Sequence, residues 1–257
     1  MRLTTRRPAA FLALWNGIAS PALQPEYEAW HTFEHVPERV GLPGFIEARR
    51  YRAWSVDDAG APLYFTCYWL DDLAALDSPA YREVFATPTP WSARMRTQLR
   101  AFFRQPCRLA GSHGTSTASQ LCTLRLHGDP QAIASLLSAE LQRLVDAAQV
   151  VSAQWGMAAP PGFEIPIANS GPASATPPGA EPGTEAVVML QGFDRAPLAA
   201  SAAALVQALA AVTTLPEPPG FFELLSQVRQ DELAHPLTTR QPALMPLFHS
   251  FHSGDKP

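Results

Sequence analysis

A chain of 257 residues that is 47% hydrophobic can bury a sizeable core, in one large domain or two of ordinary size, which excludes disorder of the whole chain. Its 19 basic and 23 acidic residues leave a formal charge of -4 without a basic stripe, so the electrostatic footprint of nucleic-acid binding is missing and a small or neutral partner is expected. Cys67, Cys107 and Cys122 are odd in number and widely spaced, which points to a reducing, cytoplasmic setting, and no apolar run approaches the ~20 residues of a membrane-spanning helix.

Ala10–Ile18, AFLALWNGI, is short and apolar and predicts a buried strand ended by Ser20, Pro21 and Pro25. Pro25 and Glu26 suit the first turn of a helix reaching Val36, because proline lacks an amide that would go unused there and a carboxylate favours the positive end of the dipole. Pro37 and Leu42-Pro43-Gly44 stop or kink it. Phe45–Trp54 and Pro62–Leu70 are rich in aromatics, and Asp57, Asp58 and Gly60 between them predict a hairpin. Asp71–Trp91 has helical apolar spacing interrupted by Pro79, Pro88 and Pro90, Ser92–Phe103 continues as a second helical piece, and a short strand at Cys107–Gly111 closes a β-α-β-β-α-β order.

After the joint Gly111–Ser119 the order returns: a strand at Leu121–Gly128, a helix at Pro130–Ala148, strands at Val150–Met157 and Glu185–Phe193, a helix at Pro197–Val212 and a strand at Phe221–Val228. The division is thus 1–112 and 113–257, the second part carrying a Pro-rich insertion at about 158–183 whose composition cannot pack a core. The tail after Gln230 is expected to be irregular, docked through Leu244, Leu247 and Phe248.

The segment Glu26–Phe45, EYEAWHTFEHVPERVGLPGF, holds the most chemistry. At ~100° per residue, Ala29, Trp30, Phe33 and Val36 share a buried side, with Tyr27, His31 and Glu34 along its edge and His35 beyond. Tyr27 and His31 are four apart and His31 and Glu34 three apart, so each pair can touch, and a carboxylate beside an imidazole raises its basicity and fixes its tautomer. Glu and His also share solvated helix rims; the nearby aromatics and Arg49, Arg50 and Tyr51 favour a cleft. Alternation sends Arg49 and Arg50 to opposite sheet faces, so at most one lines it. Asn16, a polar break in an apolar strand, reads equally as a site residue or a strand-end turn former. His31-x-x-Glu34-His35 also fits an inverzincin zinc pattern, which Pro37 and the lack of an acidic third ligand on a companion helix oppose. No dinucleotide fingerprint, phosphate loop or nucleophile elbow occurs, so no nucleotide cofactor is called for. Cys67, Trp69 and Trp155 read as core.

Strands apolar on both faces need cover on both, which two sheets packed face to face supply. The doubled β-α-β-β-α-β order together with WHTFEHVPERVGLPGFIEARRY, Trp30–Tyr51, resembles the dimeric α/β barrel superfamily, particularly its EthD-like branch. The resemblance implies an α+β protein of two ferredoxin-like units forming a pseudo-dimeric barrel, with its pocket in the first unit. It further implies cofactor-independent acid/base chemistry, an isomerisation or cyclisation, on an apolar carbonyl, lactone or aromatic compound, or an accessory role in degradation; it allows a homo-oligomer. His31 would be the base and Glu34 its orienting partner. His35 with Tyr51 or an arginine would stabilise negative charge, and Tyr27, Trp30, Asn16 and Arg49 would bind substrate. A non-catalytic ligand-binding or assembly module is the alternative. Some superfamily members hold haem through a histidine of the second unit, but the helices expected there contain none, and His127, His235, His249 and His252 lie at a strand end or in the tail. No metal site is expected.

Overall fold

The computed structural model describes residues 6–160, 185–234 and 240–252. The Pro-rich insertion beyond Pro160 and His235 lie outside the described residues. Among the described residues nine strands form: β1 (Ala10–Ile18), β2 (Phe45–Val56), β3 (Pro62–Leu70), β4 (Leu99–His113), β5 (Gln120–Gly128), β6 (Ser152–Ala158), β7 (Glu185–Gly192), β8 (Thr213–Thr214) and β9 (Gly220–Arg229). Between them lie α1 (Gln24–Trp30), α2 (Val36–Val40), α3 (Pro79–Ala86), α4 (Pro90–Arg96), α5 (Pro130–Asp146) and α6 (Arg195–Leu209), with α7 (Met245–Ser250) in the tail.

The strands run antiparallel in the order β7-β6-β4-β1-β3-β2-β9-β5, and β5 pairs back onto β7, closing an eight-stranded barrel; β8 adds a two-residue pairing on β5. Closure into this barrel supplies the cover that strands apolar on both faces were expected to need. The β4–β6 and β2–β9 ladders join the edges, and closure leaves no exposed sheet edge in the barrel. Each strand alternates as the pleat requires. Phe11 and Ala13 of β1 and Phe65, Cys67 and Trp69 of β3 fill the barrel interior, while Ala10 and Leu12, and Tyr68 and Leu70, pack under the outer helices. On the other side α5 and α6 cover β5–β7 through Ile133, Leu137, Leu141, Leu198 and Leu205.

Several boundaries differ from the sequence reading. The expected helical piece Ser92–Phe103 ends at Arg96, and β4 begins at Leu99 and runs to His113, well into the expected joint. Here pairing overrides the helical spacing of the arginines: Leu99–Arg108 bonds along the whole of β1. The first helix does not stop at Pro37 but continues to Val40. Gly44, at φ 87°, then turns the chain into β2. The tail is helical at Met245–Ser250 rather than irregular, and Leu244, Leu247 and Phe248 pack against the cluster around Trp30 and Trp91.

Candidate functional site

Residues His31–His35 form a π-helical turn joining α1 to α2, with the amide of Val36 donating to the carbonyl of His31. The cause lies one residue on: Pro37 has no amide, and its ring crowds the carbonyl of the residue four before it, which a locally wider turn relieves. The extra residue per turn resets every side chain around it. Phe33, expected inside, is 59% exposed. His31 and His35 instead stack on the sheet side, their rings 5.0 Å apart and 25° from parallel. Tyr27 stacks on the other face of His31 at 5.2 Å, and Trp30 lies 4.5 Å from His35.

Hydrogen bonds fix the frame around these rings. The Tyr27 hydroxyl donates to Asn16 Oδ1 at 3.1 Å, which places Asn16 on this face of β1, and the Trp30 indole donates to Ser92 at 3.1 Å. Arg50 donates to the Thr32 hydroxyl and sits over the Tyr27 ring at 5.8 Å. Arg49 and Tyr51 take the opposite face: Tyr51 packs in the barrel interior and Arg49 pairs with Glu47 at 2.6 Å. Alternation thus separates the two arginines as expected, but Arg50 is the one beside His31, and Arg49 and Tyr51 do not join that cluster.

Glu34 also departs from its expected place. One oxygen accepts from the Thr89 hydroxyl at 2.5 Å and the other from the Leu244 amide at 2.7 Å, while His31 Nδ1 is buried without a hydrogen-bond partner among the described residues. The carboxylate clamps the C-terminal segment to the helix instead of orienting the imidazole. Consequently the basicity argument reverses. Burial, then Arg50 and Arg39, holds His31 well below the usual imidazole range, and burial, then Arg39 and His31, does the same to His35, so both rings are neutral.

His35, not His31, reaches open space. It lines a cavity of about 40 Å³, room for a few water molecules, together with Trp30, Arg39, Phe45, Tyr68, Phe85 and Arg96 among others. Three of these carry a buried polar atom with no partner among the described residues: His35 Nδ1, Arg39 Nη2 and the Tyr68 hydroxyl. Arg39 and Arg96 lie 5.0 and 4.9 Å from the Phe85 ring, and burial and the neighbouring Arg39 lower Arg96 to about 10. Glu38 is the counter-charge, 1% exposed, paired with Arg39 and at 2.5 Å with Arg240. The walls are apolar, positively biased and equipped with unused donors. Arg39 and Tyr68 were not singled out from sequence, because one follows Pro37 and the other stands in an otherwise apolar strand; the parity of Tyr64, Thr66 and Tyr68 on one face of β3 was the available signal.

Among the described residues no three His, Cys, Asp or Glu side chains gather as a metal site. The cavity beside His35 is far smaller than a porphyrin. No described helix is long and apolar enough to cross a membrane. The three cysteines are buried and free, and burial pushes the Cys122 thiol up to about 12.

A closed eight-stranded antiparallel barrel with helices outside is a dimeric α/β barrel fold. Solved structures share it. The chain resembles an anthrone oxidase-like protein at 12% identity and TM-score 0.57, covering 89% of this chain and 96% of the other. It also resembles a proposed monooxygenase of Fusobacterium nucleatum, at 6% identity and TM-score 0.55 over 87% and 95% of the two chains. A proposed monooxygenase of Lactobacillus acidophilus follows at 7% identity and TM-score 0.50 over 86% and 97%. Identities this low show the fold alone. No protein-family model and no curated protein matches the chain.

Proposed function

We propose that this chain is a small-molecule enzyme of the dimeric α/β barrel type, built from two ferredoxin-like units of the EthD-like kind and working by acid/base chemistry without a cofactor. The strand orders β4-β1-β3-β2 and β9-β5-β7-β6, each a ferredoxin-like arrangement, support the doubled unit. One observation carries the chemistry: an unpartnered imidazole nitrogen, guanidinium nitrogen and phenol hydroxyl lie in the wall of a single cavity. Unsatisfied buried polar atoms cost about 1–3 kcal/mol each, a cost that water or the oxygen of a ligand in the cavity offsets.

The reaction they suit is proton abstraction beside a carbonyl. His35 Nδ1 takes the proton, the C–H electron pair moves into the enolate, and Arg39 Nη2 and the Tyr68 hydroxyl donate to the enolate oxygen. Return of the proton to another carbon completes an isomerisation. An imidazolium beside Arg39 and Arg96 is disfavoured in the empty site, yet the enolate supplies the missing negative charge, so basicity appears when substrate is bound. His31, stacked behind His35, positions that ring, and Glu34 holds the clamp of Leu244. The cavity has room for a small carbonyl compound or the carbonyl end of a larger one, and the name of one structural neighbour, an anthrone oxidase-like protein, suggests an aromatic ketone as the class to try.

The test is deuterium exchange of the acidic C–H protons of anthrone and of small cyclic ketones and lactones, followed by NMR. Exchange accelerated by the protein and slowed about 100-fold or more in His35→Ala, with ligand affinity retained, is expected. Binding without exchange would favour the ligand-binding alternative, and equal exchange by His31→Ala, His35→Ala and the unaltered protein refutes the assignment.

A further inference from the structure

On the other face of the sheet from the histidines, one end of the barrel opens into a pocket of about 1030 Å³. It lies where β2 begins and β3, β4 and β9 end. Arg49, Trp69, Leu109, Gln154 and Arg229 are among its walls, and Arg6 and Arg7 stand at the rim. We infer that this mouth is a second binding site, separate from the cavity at His35, for a carboxylate attached to an apolar or aromatic ring.

Charge argues for the anion. The lining contains Arg6, Arg7, Arg49 and Arg229 with Glu47 and Asp231; Asp71 holds Arg6, and Asp231 and Glu232 hold Arg229, so the anion falls to Arg49. Glu47 occupies one nitrogen of Arg49 at 2.6 Å, but Arg49 Nε is buried without a partner among the described residues. Trp69 is 6% exposed and its indole N–H is likewise unpartnered. Two neighbouring donors without acceptors match the two oxygens of a carboxylate, which takes charge-assisted bonds from both. The body of the ligand follows from the other walls. Ile46, Leu109, Pro8 and the Trp69 ring, itself braced by Phe11 at 5.4 Å, offer apolar surface. Neither donor can serve the His35 cavity, because Arg49 and Trp69 face the barrel interior while Arg50 and Tyr68 face the helices.

Titration calorimetry with 2-naphthoate, and with its neutral analogue 2-naphthalenemethanol, tests the site on the full chain. Saturable naphthoate binding about tenfold or more tighter than the alcohol is expected, weakened about tenfold in Arg49→Met and by a smaller factor in Trp69→Phe, and unchanged in His35→Ala. If Arg49→Met does not fold, the Trp69→Phe variant and the comparison of the two probes decide. No saturable naphthoate binding, equal affinity for acid and alcohol, or loss in His35→Ala with Trp69→Phe unaffected overturns the inference.

Discussion

Two neutral, enclosed imidazoles give this protein a distinctive dependence of stability on pH. In the unfolded chain His31 and His35 titrate near 6.5, whereas in the folded protein burial and the surrounding guanidiniums keep both unprotonated well below that value. As pH falls beneath 6.5 the unfolded state therefore takes up protons that the folded state refuses, and stability, fully present above 6.5, declines down to the folded-state values. Each such group costs slightly more than 1 kcal/mol per pH unit, so the pair costs up to ~3 kcal/mol per unit. Urea unfolding at pH 7.5, 6.0 and 5.0 measures it, over a range where most carboxylates are still ionised. The double variant His31→Gln, His35→Gln is less stable at pH 7.5 through lost packing, yet its stability should vary much less over the same interval. An equal slope in variant and unaltered protein would refute the placement of these rings as neutral groups.

Three further substitutions probe the frame. Glu34→Gln replaces one accepting oxygen by a donor facing either Thr89 or the Leu244 amide and should cost about 1–3 kcal/mol, with faster tryptic cleavage after Arg240 as the released segment opens; unchanged proteolysis would contradict the clamp. Gly44→Ala sets a Cβ 2.6 Å from that of Ala75 at a left-handed backbone position, and thermal unfolding should drop by at least ~3 °C, whereas an unaltered Tm would show that the turn relaxes. Arg50→Met removes a cation that depresses His31 and should raise the His31 pKa in an NMR titration, while a variant without that rise would place the cause in burial and Arg39.

The barrel was legible because its strands are rich in aromatic and aliphatic residues, and because strands apolar on both faces demand an enclosed interior. The extent of β4 was not: Arg96, Arg100 and Arg104 repeat at a helical interval, and only pairing with β1 decides against a helix. At the candidate site the expected Tyr27–His31 contact forms, whereas the expected His31–Glu34 pair does not. Every neighbour relation among Tyr27, His31, Glu34 and His35 assumed 3.6 residues per turn, and the π-turn before Pro37 changes those offsets, sending Phe33 outward and Glu34 toward Thr89. Alternation split Arg49 from Arg50, but which faces the helices depends on the β-bulge between Phe45 and Glu47, a register detail composition does not encode. Arg39 and Tyr68 acquire meaning only once folding leaves their polar atoms without partners.

His35 is proposed to meet an anionic reaction intermediate held by Arg39 and Tyr68. Propyl nitronate, a small planar anion whose delocalised charge mimics that of an enolate, tests it through the nitrogen-15 signals of histidine. Saturation should shift the His35 ring signals and raise the His35 pKa, with both effects lost in a Tyr68→Phe, Arg39→Met double variant. His35 signals that stay the same at saturating nitronate would contradict it.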